Sequence, residues 1–94
     1  MSDIDHIVVG SGINALVCAA VLGGKGAKVL MLERNDRIGG CLRTEEITAP
    51  GFIHDVMATT FVLFITSPAY AALGKDLARH GLEVCNPHAP TRVL

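Results

Sequence analysis

Residues 10–15, Gly-Ser-Gly-Ile-Asn-Ala, form a G-x-G-x-x-A pattern between an apolar strand and an apolar helix, and Glu33 stands 18 positions beyond Ala15. This pattern is typical of a turn from a strand into a helix whose N-terminus holds a dinucleotide pyrophosphate. Gly10 permits the tight turn, Gly12 lets the backbone approach the phosphates, and Ala15 lets the helix lie close to the strand. Glu33 is then placed to accept hydrogen bonds from the hydroxyls of the adenosine ribose.

The segments around this turn predict a complete βαβ unit. Ile4–Val9 has the composition of a short buried strand, and Ile13–Lys25 predicts a helix that lacks proline and ends in glycines. Ala27–Leu32 predicts a second strand that delivers Glu33 at its C-terminal end. A glycine-rich turn in some other kind of α/β protein is the alternative interpretation, and the number of conditions met together favours the dinucleotide-binding unit over it.

Length and composition predict an α/β fold that is not self-sufficient. The 94 residues can form one small domain, yet 50% are hydrophobic and only 18% are charged. We therefore expect an incomplete Rossmann-like βαβ unit with a parallel sheet, which needs a partner chain or missing sequence to cover its apolar surface. A net charge of −1 and few aromatic residues argue against a nucleic-acid partner.

The cysteines and the hydropathy indicate a reduced, cytoplasmic protein. Cys18, Cys41 and Cys85 are widely spaced, form no C-x-x-C pair and do not combine with histidines at metal-ligand spacing, so no metal site is expected. The start of the sequence does not resemble a signal peptide. Ala15–Gly24 is the longest apolar stretch and is too short to cross a bilayer, so we expect no transmembrane segment.

A second glycine pair, Gly39-Gly40, follows Glu33 and bears on the choice of cofactor. An NAD-binding unit needs only the acid after its second strand, whereas the extra pair would let the backbone approach a further part of a longer ligand. Arg37 and Arg43 flank the pair and are suited to pyrophosphate oxygens. Glu33 would repel the 2′-phosphate of NADP, although Arg34 beside it keeps that cofactor open.

The region after the βαβ unit predicts a loop, a helix and a short strand. Pro50-Gly51 predicts a turn, and Ser67-Pro68 predicts the start of a helix over residues 68–80 that stops at Gly81. Leu82–Cys85 is expected to be a short strand, and Pro87 and Pro90 then interrupt regular structure.

The stretch from Gly10 to Thr44 resembles the N-terminal FAD-binding segment of the flavoproteins that include amine oxidases and phytoene desaturases. Later segments are similar to the phytoene-dehydrogenase-related branch, namely Thr44-Glu45-Glu46, Pro50–Asp55, Ser67-Pro68 and Arg79–Val84. Amine oxidases usually carry arginine directly after the glycine pair, where this chain has Cys41, and this difference favours the desaturase-related branch.

The resemblance implies an FAD-dependent oxidoreductase acting on a small organic substrate. Residues 1–44 would be the FAD-binding βαβ unit, and residues 45–94 an extension toward the flavin, the substrate or a partner. A second polypeptide would supply the rest of the enzyme, and no catalytic residue is identified in this chain. Two alternatives remain, a non-catalytic nucleotide-binding assembly or regulatory subunit and an NAD(P)-binding reductase fragment. The implied cofactor-binding residues are Gly10, Ser11, Gly12, Ile13, Asn14, Ala15, Glu33, Arg34, Gly39, Gly40, Cys41 and Arg43.

Overall fold

The structure, a computed structural model, describes residues 3–58 and 60–85. The chain divides into two compact units, with the boundary between Phe61 and Val62. The elements in the described residues are, in chain order, β1 (His6–Val9), α1 (Ile13–Gly24), β2 (Val29–Leu32), β3 (Thr44–Glu45), β4 (His54–Asp55), α2 (Val62–Ile65) and α3 (Pro68–Arg79).

The first unit contains the predicted βαβ arrangement. β1 and β2 pair in parallel, with His6 opposite Val29 and Val9 opposite Leu32, and α1 packs against both strands. The N–H of Gly10 donates to the carbonyl of Leu32 at 2.7 Å, so the pairing continues into the glycine turn. Both strands are shorter than predicted, but the fold class is confirmed as a partial Rossmann-like unit with a parallel sheet.

α1 ends in a Schellman motif, as its terminal glycines predict. Gly26 has φ of 89°, a left-handed conformation that favours glycine, and its N–H donates to the carbonyl of Gly23 at 2.9 Å. The N–H of Ala27 donates to the carbonyl of Leu22 at 3.1 Å. These two bonds satisfy carbonyls that the end of a helix otherwise leaves free, and the chain turns directly toward β2.

The two faces of the β1–β2 sheet differ in exposure. The face toward α1 carries Val8, Val29 and Met31, which are partly buried. The opposite face, called the bare face below, consists of Ile7, Val9, Leu30 and Leu32, which are 61%, 81%, 37% and 47% exposed. The prediction that β1 is a buried strand is therefore wrong for this face, because α1, the helix of the first unit, packs against the other face.

A short antiparallel hairpin completes the first unit. Thr44 of β3 lies opposite Asp55 of β4, and the N–H of Val56 donates to the carbonyl of Arg43 at 2.8 Å. The hairpin contains the predicted turn, in which Pro50 precedes Gly51 at φ of 87° and the N–H of Phe52 donates to the carbonyl of Ala49 at 3.1 Å. The N–H of Ala58 also donates to the carbonyl of Cys41 at 3.3 Å, and the first compact unit extends beyond residue 44 to Phe61.

The second unit is a short helix followed by a longer capped one. The hydroxyl of Ser67 accepts a hydrogen bond from the N–H of Tyr70 at 3.2 Å, and Pro68 takes the first helical position, as predicted. α3 ends at Arg79, and Gly81 at φ of 96° closes it with a second Schellman motif. The rings of Phe64 and Tyr70 meet edge to face, with centroids 5.6 Å apart.

The predicted strand at Leu82–Cys85 is not formed. Its composition suits a strand, but no segment in the described part of the chain pairs with it, and a strand exists only through such pairing. The expectations for Pro87 and Pro90 lie outside the described residues. Among the helices described, none has the length and apolar character required to cross a membrane.

Candidate dinucleotide-binding site

The glycine turn leaves the N-terminus of α1 open. Gly10 has φ of 96°, which favours glycine, and Gly12 occupies the N-cap position in an extended conformation. No side chain caps this end of the helix, and its first turn contains no acidic residue. The first N–H groups of a helix have no acceptor within the helix, and together with the helix dipole they attract anions. The turn is therefore suited to a phosphate group.

Glu33 follows β2 and lies close to this turn. The hydroxyl of Ser11 donates a hydrogen bond to Oε2 of Glu33. Oε1 accepts bonds from the backbone N–H and the side-chain amide of Asn35, both at 3.0 Å. The hydroxyl of Ser11, followed by the backbone N–H of Asn35, holds the pKa of the Glu33 carboxyl below its ordinary value. Glu33 is thus held as a carboxylate, which is the form that accepts hydrogen bonds from ribose hydroxyls.

The second glycine pair packs directly against the first turn. The N–H of Gly39 donates to the carbonyl of Ser11 at 3.0 Å and also lies 3.2 Å from the Ser11 hydroxyl oxygen. Gly40 has φ of 59°, and a Cβ atom placed on it would lie 3.0 Å from Cα of Gly12. A residue other than glycine at this position would therefore combine an unfavourable backbone conformation with a very tight contact against the first turn.

An open groove of about 580 Å³ lies along the hairpin and the segment that follows the second strand. Arg43 forms an ion pair with Glu45, and the guanidinium of Arg37 lies 3.9 Å from the same Glu45 oxygen. Two arginines thus lie at one carboxylate oxygen of Glu45. The carboxylate of Glu45 occupies the position beside the guanidinium groups that an anionic ligand could take. The lining residues are Asp36, Arg37, Arg43, Thr44, Glu45, Glu46 and Ile53.

The structure brings half of the predicted binding residues into one cluster, called the glycine cradle below. The cradle consists of Gly10, Ser11, Gly12, Glu33, Gly39 and Gly40. The others lie around it in sequence: Ile13 and Ala15 are partly buried in the first turn of α1, whereas Asn14, Arg34, Cys41 and Arg43 are exposed. Their roles as ligands of a cofactor stay predictions.

Three contributions to this region are not indicated by the sequence motif. The motif indicates Ser11 only as a lining residue, although Ser11 is 1% exposed and is the one fully buried side chain in the described residues. The motif does not include Asn35, which bonds to Glu33, or Glu45, which pairs with Arg43 and lies close to Arg37. A polar residue two positions after the acid was a usable signal for Asn35, because Asn side chains commonly bond nearby groups in turns.

The residues of the cradle fit the diphosphate and the adenosine ribose of a dinucleotide. An open helix N-terminus, close glycine backbones and an ionised acid at the end of the neighbouring strand are the features that such a ligand requires. They do not fit a metal ion, and the described residues contain no group of three histidine, cysteine or acidic side chains that could hold one.

The same assignment emerges from comparison with known proteins. Residues 8–77 match the family model of the NAD(P)-binding Rossmann-like domain. The chain is 41% identical over 90 residues to one of the subunits of limonene dehydrogenase from Castellaniella defragrans, a match that covers 96% of this chain and 16% of that protein. No solved structure gives a significant match.

Two further relatives belong to the group indicated by the sequence resemblance. All-trans-retinol 13,14-reductase of Danio rerio is 50% identical over 54 residues, which cover 57% of this chain and 9% of that protein. 4,4′-Diapophytoene desaturase of Staphylococcus aureus is 31% identical over 71 residues, covering 73% of this chain and 14% of that protein. The resemblance to desaturase-related oxidoreductases is thus confirmed, and the chain spans only 9% to 16% of the length of these three relatives.

Proposed function

The chain belongs to the NAD(P)-binding Rossmann-like domain family, and from this premise we propose that it is the FAD-binding portion of a flavin-dependent oxidoreductase. In this proposal the cradle holds the adenosine diphosphate half of FAD. The open N-terminus of α1 receives the diphosphate, and Glu33 accepts hydrogen bonds from the adenosine ribose.

The packing of Gly39 and Gly40 on the first glycine turn carries this proposal. A simple NAD-binding unit needs one glycine turn and one acid, and nothing in that requirement calls for a second glycine pair. Here the second pair touches the first, with the Gly39 N–H bonded to Ser11 and Gly40 against Gly12. The doubled backbone surface suits a ligand that is longer than NAD beyond the diphosphate, as FAD is with its ribityl chain and flavin.

The chemistry of the proposed enzyme would come from the cofactor. Bound FAD supplies the capacity to accept a hydride equivalent from a C–H or C–N bond of an organic substrate. This chain contributes binding and orientation: the helix end and glycine backbones fix the diphosphate, and Glu33 fixes the ribose. No residue of the chain is assigned a catalytic role, and the substrate domain would be supplied from outside these 94 residues.

The bare face of the sheet supports the proposal that other protein covers this unit. Parallel sheets of the Rossmann type are normally covered on both faces, and here four apolar side chains of one face are exposed. A second polypeptide, or further sequence of the same protein, would cover them. The name of the Castellaniella relative, which describes it as a subunit, is consistent with an enzyme made of several chains.

The cofactor can be tested by direct binding. The purified chain is titrated with FAD, NADH and NADPH, and binding is followed by flavin fluorescence and by calorimetry. We expect saturable binding of FAD that is stronger than that of either nicotinamide cofactor, and we expect Glu33→Ala to weaken it. Glu83→Ala, which removes an exposed carboxylate from the second unit, is the matched control and should bind as the parent does.

Two results would replace this proposal. Preferred binding of NADH or NADPH would support an NAD(P)-dependent reductase fragment, the candidate favoured by the name of the matching family. Oxidoreductase activity that stays intact after Glu33→Ala, although the chain no longer assembles with its partner, would support a non-catalytic assembly or regulatory subunit.

A further inference from the structure

Ser11 is the residue through which the parts of the cradle are connected. It is 1% exposed, and no other side chain in the described residues is as fully buried. Its hydroxyl donates to the carboxylate of Glu33, and the same oxygen lies 3.2 Å from the N–H of Gly39. Its carbonyl accepts a second contact from that N–H at 3.0 Å. One small side chain therefore touches both the acid and the second glycine pair.

The hydrogen-bonding capacity of a serine hydroxyl explains why this residue suits the position. A hydroxyl has one donor and can accept two bonds. In Ser11 the donor is used by Glu33, and one acceptor site faces Gly39. Alanine or glycine would leave the Gly39 N–H with the carbonyl alone and would remove the side-chain donor to Oε2 of Glu33. Neither residue has a side chain that could bond to both segments.

The hydrogen bonds of the Glu33 carboxylate are distributed unequally over its two oxygens. Oε1 accepts both bonds from Asn35, whereas Oε2 is the oxygen that the Ser11 hydroxyl holds. The backbone N–H groups of Ser11 and Arg34 also act on the carboxylate, more weakly than the Ser11 hydroxyl and the Asn35 backbone N–H do. In the described part of the chain Glu33 has no ion pair, and its neighbour Arg34 is exposed. The orientation of Oε2 thus depends on the Ser11 hydroxyl.

We propose that Ser11 is a positioning residue that joins Glu33 to the Gly39-Gly40 backbone and so fixes the ribose-binding oxygen relative to the diphosphate-binding turn. Ser11 acts here through Glu33 and Gly39 rather than by contact with the reacting part of a ligand. The proposal rests on the proposed function for the identity of the ligand. The connection between the three segments belongs to this chain alone and can be measured without a ligand.

The test combines FAD binding with NMR of the full chain. We expect Ser11→Ala to weaken FAD binding by about tenfold, because a hydrogen bond to a charged group is lost. In the same variant we expect the pKa of Glu33, followed by the chemical shift of its side-chain carboxyl carbon, to rise toward the ordinary value. We also expect the amide hydrogen of Gly39 to exchange with solvent faster. In a Glu33→Ala background the effect of Ser11→Ala on FAD binding should shrink, since the acid it holds is gone.

Two variants separate this role from a general loss of structure. Ser67→Ala removes the only other serine side chain described, at the cap of α3, and should leave FAD affinity, the Glu33 titration and Gly39 exchange unchanged. Ser11→Cys keeps nearly the same volume but is a weak donor and acceptor, so its effect should resemble that of Ser11→Ala. It also provides the test if Ser11→Ala does not fold.

The outcomes distinguish the two proposals. Parent-like FAD affinity in Ser11→Ala, or in Ser11→Cys if the alanine variant is unfolded, overturns the positioning role. An unchanged Glu33 titration in that variant also overturns it. If the parent chain binds no FAD but both NMR changes occur, the proposed function fails, whereas the connection made by Ser11 is supported.

Discussion

Gly40 combines a left-handed backbone conformation with a close approach to Gly12, and this makes it a sensitive probe of the cradle. A Cβ atom at this position would lie 3.0 Å from Cα of Gly12, and the φ of 59° is itself unfavourable for other residues. We expect Gly40→Ala to destabilise the fold by about 1 to 2 kcal/mol through the backbone conformation. It should also separate the two glycine segments and weaken dinucleotide binding.

Gly51 provides the matched control for this substitution. It also has a positive φ, of 87°, but a Cβ atom there would meet nothing within 4 Å. Gly51→Ala should therefore lower the free energy of unfolding to a similar extent and leave FAD affinity unchanged. Thermal denaturation and FAD titration of both variants measure the two effects. Equal losses of affinity in the two variants would show that the close approach of Gly40 to Gly12 does not matter for binding.

Glu33 should make stability depend on pH in the acidic range. Its pKa is lowered in the folded state by the Ser11 hydroxyl and then by the Asn35 backbone N–H. A lowered pKa means that ionised Glu33 stabilises the fold fully above its ordinary value of 4.5, and that this stabilisation is lost as pH falls through the folded value. Glu33→Gln should therefore lower stability at neutral pH, with a difference from the parent that shrinks below about pH 4.5.

This dependence is measured by urea denaturation at a series of pH values. The difference between parent and variant isolates Glu33 from the other carboxylates, which titrate in both proteins. Glu83→Gln, an exposed carboxylate in the second unit, serves as the control and should give a small difference at every pH. A Glu33→Gln difference that did not change between neutral and acidic pH would contradict the role of the ionised carboxylate.

The sequence predicts those features of the cradle that depend on local conformation. Gly10 is needed at φ of 96°, and the motif places Gly12 and Glu33 correctly at the ends of α1 and β2. It does not predict that Ser11 becomes the most buried side chain, because this burial results from the later segment at Gly39 folding back onto the turn. Contacts between residues far apart in sequence depend on the fold as a whole.

The β3–β4 hairpin contributes a carboxylate that competes with anionic ligands. Glu45 of β3 lies in an ion pair with Arg43 and 3.9 Å from Arg37. We expect Glu45→Gln to free both guanidinium groups and to raise the affinity for inorganic pyrophosphate by roughly two- to fivefold, a range set by the small contribution of exposed ion pairs. Calorimetric titration at low ionic strength measures the change, which salt should reduce.

Glu46 is the matched control for Glu45. It is the next residue, lines the same groove and carries the same charge, but it accepts a hydrogen bond from the Gly51 N–H at 3.1 Å instead of pairing with arginine. Glu46→Gln should raise pyrophosphate affinity less than Glu45→Gln does. The same increase in both variants would mean that net charge, and not the release of the two arginines, controls anion binding.

The elements differ in how far the sequence predicts them. Both long helices are predicted because their ends carry local signals, Ser67 with Pro68 at the start of α3 and Gly26 and Gly81 at the helix ends. The hairpin is not, since only its central turn has a clear signal and its two strands have two residues each. The strand expected after α3 is not formed although its composition suits a strand. A strand needs a partner to pair with, and the composition of a segment does not show whether such a partner is present.

At the scale of the molecule, the described residues expose many large apolar side chains. The described residues contain no fully buried hydrophobic side chain, and all four members of the bare face are exposed. Apolar area contributes about 25 cal/mol for each Å² removed from water, so covering this face would be strongly favourable. Exposed contiguous apolar surface of this kind is typical of an interface.

We expect this face to make the purified chain self-associate when no partner is present. Replacing Ile7 and Val9 by threonine keeps the β-branched shape that suits a strand but adds a hydroxyl to the exposed surface. The double variant Ile7→Thr/Val9→Thr should sediment closer to a monomer and bind less of the dye ANS. Its free energy of unfolding should change little, because these side chains are 61% and 81% exposed in the single chain.

Val62 supplies the control for this effect. It is 62% exposed, comparable to Ile7, and it belongs to α2 in the second compact unit, not to the sheet. If association depends on the bare face, Val62→Thr should sediment and bind dye as the parent does. If the sheet variant and Val62→Thr reduce association equally, the total exposed apolar surface of the chain is responsible. That result would contradict the proposal that another polypeptide covers the bare face. If only the sheet variant acts, the same double substitution should also weaken assembly with that polypeptide, since one set of side chains would serve both contacts.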